Sequence, residues 1–195
     1  MSVETITDLS APDYQRLLTK LGACAEARHA ADGKSLREVW ATCERGDWLL
    51  WLAARIEIDR KLIVRAACDC ARTALKYVKE GETRPLKAIE TAEAWCEGKA
   101  TIEEVRDAAY AADAAYAAAA YAADAAYAAY AAAYAAAAYA AYAAAYAAAG
   151  AAYAAYADGG RYSEVRAATL KQLADLVRER IAFDAIAEAA VKTLG

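Results

Sequence analysis

The stretch that decides the fold is residues 59–80, DRKLIVRAACDCARTALKYVKE. Its polar residues recur at spacings of three and four and so form one stripe along a helix: Lys61, Arg65, Asp69, Arg72 and Lys76. The rest of the cylinder is apolar, in two adjacent rows that begin at Ile63 and Val64. The pattern predicts a helix over 59–80 that is buried on most of its surface. The stripe carries a net charge of +3, and we interpret it as a solvated face rather than an anion site.

Signals for helix starts flank this segment on both sides. Three pairs place an N-cap oxygen three residues before an acid, an arrangement that satisfies amide groups of a first turn: Ser10 with Asp13, Ser35 with Glu38, and Thr101 with Glu104. Further starts are predicted at Asp47, Asp59, Thr83 and Ser163. Because no segment alternates β-branched and polar residues for long, the sequence predicts an all-α protein.

Residues 108–157 are almost entirely alanine and tyrosine. Alanine has the best helix propensity, and neither glycine nor proline intervenes before Gly150. The tract is therefore predicted to be helical. Its eleven tyrosines fall on one half of the cylinder, together with Asp113 and Asp124, and the other half is bare alanine. An unbroken helix from Thr101 to Ala149 would be ~74 Å long, so it would either project from the body or bend.

The two faces of this tract imply two roles. The alanine face allows close helix packing, which we expect against the final helix, turned back antiparallel at Gly159-Gly160. The tyrosine face is hard to bury, because each hydroxyl needs a partner or water, and tyrosine-rich surfaces bind proteins well. Rings that wrap over the chain's own helices are the equal alternative. The predicted protein-binding residues are Tyr110, Asp113, Tyr116, Tyr121, Asp124, Tyr127, Tyr130, Tyr134, Tyr139 and Tyr142.

These elements predict a helical bundle in three parts that fold as one cooperative domain. Residues 1–100 form a body that holds the main core and all four tryptophans. Residues 101–158 form the long helix, straight or bent. Residues 159–195 form a C-terminal helix that packs back through an apolar stripe running from Leu170 to Ile181.

Composition limits the compartment and the partners. The N-terminal MSVETITDLS lacks a basic start followed by an apolar run, so we expect a cytoplasmic protein without a signal peptide. The tract is not predicted to span a membrane, because alanine is weakly apolar and charged residues interrupt it. The net charge of −4 arises in residues 101–195, which hold 7 basic and 11 acidic groups against 16 of each in residues 1–100. This balance disfavours nucleic-acid binding and suits a basic protein partner.

The residues of common catalytic and metal sites are scarce. An odd number of cysteines in helical segments favours reduced thiols, and we interpret all five as small core residues: Cys24, Cys43, Cys68, Cys70 and Cys96. The single histidine, His29, has a polar context typical of the surface. On a helix Cys68 and Cys70 point ~200° apart and cannot readily share a metal. We therefore predict no cofactor, no metal and no enzymatic activity.

Three blocks outside the tract carry a family resemblance. They are LREVWATCERGDWLLWLAARI at 36–56, DRKLIVRAACDCARTALKYV at 59–78 and RPLKAIETAEAWCEGKATIEEVRDAA at 84–109. Followed by an Ala/Tyr stretch and a closing helix, this succession resembles the immunity proteins of bacterial polymorphic-toxin systems over roughly residues 20–180. The resemblance implies an all-helical cytoplasmic protein that neutralises a toxin by binding it.

The leading hypothesis is thus an immunity or antitoxin-like protein whose tyrosines and acidic second half contact a basic toxin or defence protein. A structural protein that forms a homodimer through its alanine face is the alternative. Ice binding, suggested by the 11-residue repeat of the tract, is disfavoured because the repeated positions carry Tyr and Asp rather than a flat row of Thr.

Overall fold

The computed structural model describes residues 8–78, 80–118 and 162–195. Within these ranges every regular element is helical, which confirms the all-α prediction. The described α-helices are α1 (Ala11–Leu21), α2 (Ala25–Ala30), α3 (Leu36–Thr42), α4 (Gly46–Arg55), α5 (Arg60–Arg72), α6 (Arg84–Cys96), α7 (Ile102–Ala118), α8 (Tyr162–Arg180) and α9 (Phe183–Leu194), with a short 3₁₀ turn at Leu75–Tyr77.

The predicted N-caps are in place. At the start of α3 the Ser35 amide donates to the Glu38 carboxylate at 2.7 Å, and the Glu38 amide donates to the Ser35 hydroxyl at 3.2 Å. Thr101 and Glu104 make the same two bonds before α7, at 2.7 and 3.2 Å. These reciprocal bonds satisfy donors that a first helical turn cannot satisfy itself. The helix starts at Ser35 and Thr101 are therefore confirmed.

The central helix, α5, is shorter than predicted. Both apolar rows are buried through Ala71, but the helix ends at Arg72 instead of continuing to residue 80. The amides of Thr73 and Ala74 bond to carbonyls three residues back, and the Thr73 hydroxyl also donates to the Cys70 carbonyl at 2.7 Å. These tighter bonds replace the α-helical ladder and lead into the 3₁₀ turn.

The hydrophobic core is continuous from the N-terminal helices to the C-terminal ones. α8 packs on α4 and α5, whereas α9 packs on α1 and α3. Leu170, Leu173, Val177 and Ile181 of the α8 segment are almost fully buried. Most of the core residues lie within the first hundred residues, and the C-terminal segment supplies one wall of the same core.

The C-terminal segment is also two helices rather than one. α8 ends at Arg180 and α9 begins at Phe183, with Ala182 in an extended conformation between them. Since the two helices pack on different neighbours, the break lets both Ile181 and Ile186 enter the core. Neither glycine nor proline marks this break in the sequence.

α6 and α7 form a hairpin in which small residues permit close packing. α6 ends at a glycine turn where Gly98 has φ 74° and the Lys99 amide donates to the Ala94 carbonyl at 2.8 Å. Val105, Ala109 and Ala112 of α7 are fully buried. In the described part of α7, the side that holds Val105, Ala109 and Ala112 therefore meets α6. The tract beyond Ala118 lies outside the described residues, as does its predicted contact with the final helix.

Candidate functional site

The outer face of α7, defined here by Glu103, Asp107 and Tyr110, carries the candidate site. Spacings of four and three place these residues on one side of the helix. All three are exposed, whereas Ala109, the neighbour of Tyr110, is fully buried. The hairpin with α6 thus fixes one side of α7 in the core and leaves the other to solvent.

Tyr110 is the most exposed large apolar residue in the part of the chain that the structure describes. It is 55% exposed, and the other such residue is Val191 of α9, at 43%. An exposed tyrosine on a helix held by its opposite face offers contact area at little cost in conformational entropy. Tyr110 therefore has the properties of an anchor for a partner protein.

The charged groups beside Tyr110 are available. Glu103, Arg106 and Asp107 form no ion pair with any residue in the described ranges. Glu104 is already used, since hydrogen bonds from Thr101 lower the pKa of its carboxyl. The helix dipole favours acids in the first turn, which gives Glu103 and Glu104 a structural reason. Asp107 lies one turn further along the helix, where the helix dipole no longer stabilises an acidic side chain appreciably.

A groove of about 600 Å³ runs beside this face, between α6 and α7. Asp107 and Glu104 lie on its α7 side, and Arg84, Lys87 and Lys99 also line it. Both signs of charge thus meet at this edge of the molecule. The basic residues belong to α6 and the connecting turn, whereas the acidic residues come from α7 and, at Glu90, from α6.

Of the predicted binding residues, the structure places Tyr110 on the outer face of α7. Asp113 and Tyr116 lie on the same helix, although their side chains are not among those described. The remaining seven lie outside the described residues: Tyr121, Asp124, Tyr127, Tyr130, Tyr134, Tyr139 and Tyr142.

Sequence reasoning missed Glu103 and Asp107 as neighbours of Tyr110. The signal is present in the spacing of 103, 107 and 110, but these acids precede the low-complexity tract on which the predicted binding residues were based.

The cysteines divide into two groups. Cys68, Cys70 and Cys96 are buried as predicted, and burial raises the pKa of each thiol. The prediction is wrong for Cys24, which is exposed and caps α2 by accepting from the Ala27 amide at 3.4 Å. Cys43 is only half-buried. A thiol can accept a helix amide as a serine does, so a capping position does not require burial.

Three further properties of the described ranges bear on metal binding, on the single histidine and on the membrane. Among those residues no group of three or more His, Cys, Asp or Glu side chains is arranged to hold a metal ion. His29 is exposed, as predicted. None of the helices searched in these ranges combines the length and the apolar character needed to cross a bilayer.

Comparison with known protein families identifies the family of this chain. The family model described as "Imm-5 like putative immunity protein" matches residues 55–179, which is more than half of the chain and runs from the end of α4 almost to the end of α8. No curated protein and no solved structure matches. Because the match spans α5 to α7 and most of α8, the chain belongs to the Imm-5 like immunity protein family.

Proposed function

We propose that this chain is a non-catalytic immunity protein that neutralises a toxin by direct binding, in the setting of a bacterial polymorphic-toxin system. Membership of an immunity protein family supports a protein partner. The observation that carries the proposal further is the exposed Tyr110, presented by a helix whose opposite face is locked against α6.

The partner's contact surface is basic in this proposal. Glu103 and Asp107 flank Tyr110 without an ion pair in the described part of the chain, and an interface gains specificity and association rate when a positive patch meets a negative one. An aromatic anchor with charges beside it is the usual composition of an interaction hot spot. The tyrosines and aspartates that follow along the tract would extend the same surface.

Self-association through the alanine face is less well supported. Ala109 and Ala112 are fully buried, and α6 is the helix against which this part of α7 packs. These two alanines are therefore unavailable for pairing two chains.

The test uses candidate toxins, namely the products of the genes that neighbour the gene for this protein. Co-expression of the full chain should restore growth of cells that produce the toxin, and the purified pair should form a complex of fixed stoichiometry. Tyr110→Ala should weaken the complex about tenfold or more, as truncation of a hot spot does. Val191→Ala is the matched control, because it removes the other exposed apolar side chain and should leave affinity unchanged.

Charge reversal tests the sign of the partner's surface. Asp107→Lys should slow association and reverse the dependence of the association rate on salt. Asp32→Lys, at an exposed acid in the turn after α2, should change neither. Equal affinity of the Tyr110→Ala and Val191→Ala proteins would reject the α7 face, and failure of the intact chain to bind or protect would reject the toxin-neutralising function itself.

A further inference from the structure

A cavity that is partly open to solvent lies between α1, α2, α3 and α4, in a part of the chain that precedes the family-matched segment. Its volume is about 570 Å³, within the range of small-molecule sites in proteins. α2 lines one side with Ala27 and Ala30, and none of its residues is buried. Two alanines of a short, exposed helix thus border a space too large for a single side chain to fill.

The walls of the cavity are mainly apolar and aromatic. Trp48 and Trp51 of α4 line it together with Leu18 of α1 and Val39 of α3. Both tryptophans are only partly buried, so part of each ring surface is not covered by core side chains. Flat apolar walls of this kind favour an aromatic ring as the occupant.

The charges that line the cavity already have partners. Arg45 donates to both carboxylate oxygens of Asp47, at 2.8 and 2.6 Å, and stacks over the Trp48 ring at 4.2 Å. Lys34 donates to the Ala30 carbonyl at 3.0 Å, and Glu44 pairs with Lys171 at 3.4 Å. Because three of the four lining charges are paired with an opposite charge and the Lys34 ammonium is bonded to a carbonyl, the cavity suits a neutral ligand rather than an ion.

One buried hydroxyl in the wall is unused. Tyr14 is only 3% exposed and lines the cavity, yet its hydroxyl has no hydrogen bond to any residue in the described ranges. No described side-chain nitrogen or oxygen is both sealed from solvent and unbonded. The Tyr14 hydroxyl must therefore open on the cavity, and a buried hydroxyl of this kind gains from a ligand that bonds it.

We propose that this cavity binds a neutral aromatic molecule with one hydrogen-bonding group, of the phenol class, with its ring between the apolar walls and its polar group on the Tyr14 hydroxyl. The site is independent of toxin binding through α7. The aromatic walls specify the ring of that ligand, and the paired charges specify that it is neutral. The unbonded Tyr14 hydroxyl specifies its one hydrogen-bonding group.

The experiment uses 4-fluorophenol and fluorobenzene as probes, followed by ¹⁹F NMR titration of the full chain. 4-Fluorophenol should bind saturably, and about threefold to tenfold more tightly than fluorobenzene, which lacks the hydroxyl. Tyr14→Phe should remove this preference while leaving the affinity for fluorobenzene unchanged. That substitution deletes an unbonded hydroxyl, so the fold should tolerate it.

A second pair of variants tests the location. Ala27→Trp should fill the cavity from α2 and abolish binding of both probes, whereas Ala41→Trp, at an exposed alanine of α3 outside the cavity, should bind them normally. Thermal melts establish that both variants fold. The proposal is overturned if binding of 4-fluorophenol does not saturate, or if the Tyr14→Phe protein still binds 4-fluorophenol more tightly than fluorobenzene. It is also overturned if the cavity variants change only toxin binding, because the cavity would then accept a side chain of the partner protein.

Discussion

Arg178 joins α8 to the end of α3 through its guanidinium. Its Nε donates to the Trp40 carbonyl at 2.6 Å, and its Nη2 donates to the Cys43 carbonyl. These carbonyls belong to the last turn of a helix, where the backbone acceptors have no partner within the helix. A residue in the C-terminal part of the chain thus completes a helix of the N-terminal part.

We expect Arg178→Ala to lower the free energy of unfolding by about 2 to 4 kcal/mol, because it removes two bonds from a charged donor and leaves carbonyls without a partner. Urea unfolding followed by circular dichroism measures it. Arg16→Ala is a matched control, because Arg16 and Arg178 each form an ion pair with an aspartate three residues earlier in the chain. The Arg16 side chain is 70% exposed, so its loss should cost no more than about 0.5 kcal/mol. Equal losses in the two variants would mean that the carbonyl contacts add nothing.

Cys24 should be the reactive thiol among the five. It is exposed, whereas burial raises the pKa of Cys43, Cys68 and Cys96 and so reduces their thiolate fraction near neutral pH. Titration of the native protein with a thiol reagent at pH 8 should show one fast equivalent, and unfolding should release all five. Cys24→Ser should eliminate the fast phase, while Cys96→Ser should keep it. A fast phase that survives Cys24→Ser would contradict this assignment.

At the scale of helices, Gly46 sets how closely α4 approaches α8. A Cβ atom at this position would lie 2.7 Å from the Ala174 amide nitrogen and 2.7 Å from the Leu173 Cβ. One of these contacts is backbone, which cannot move aside as a flexible side chain can. The close crossing buries Leu49, Leu50 and Leu173 together in the core.

Gly46→Ala should therefore destabilise the protein by about 1 to 3 kcal/mol, through overpacking. This is opposite in sign to the gain of about 0.4 to 1 kcal/mol that the same change gives in an unhindered helix. The midpoint of thermal unfolding measures it. Gly195→Ala, where the nearest contact to the new Cβ would be an ordinary 3.7 Å, should leave the midpoint within about 1 °C. A gain in stability at position 46 would disprove the close crossing.

The helices were predictable where local chemistry determines them. The capping boxes at Ser35 and Thr101, and the apolar rows that begin at Ile63 and Val64, depend on contacts within a few residues. The break between Arg180 and Phe183 was not predictable, because it follows from α8 and α9 packing on different helices. The packing of α7 on α6 was missed for the same reason, since small residues such as Ala109 and Ala112 are compatible with any close neighbour.

The candidate site was partly predictable. Tyrosine periodicity indicated an exposed ring at Tyr110, because a helix with alanine on one side must turn its rings to the other. The cavity beside Trp48 and Tyr14 left no such signal. Four helices form it, and the tryptophans that line it have the same sequence appearance as tryptophans of the core.

At the scale of the whole molecule, the core is shared between distant parts of the chain. All four tryptophans lie within residues 1–100, while Leu173 on α8 is fully buried against that body. A protein built in this way should unfold as one unit, because removing either part exposes the apolar surface of the other.

Leu173→Ala tests this coupling directly. The change should lower the free energy of unfolding by about 2 to 5 kcal/mol, the range for a buried leucine. Tryptophan fluorescence, which reports only on residues 1–100, should shift to lower urea by the same amount as the circular dichroism signal of the whole chain. Val191→Ala, on the exposed side of α9, should shift neither signal. If Leu173→Ala moved the circular dichroism transition but left the tryptophan transition in place, α8 would unfold separately, and the predicted single cooperative domain would be wrong.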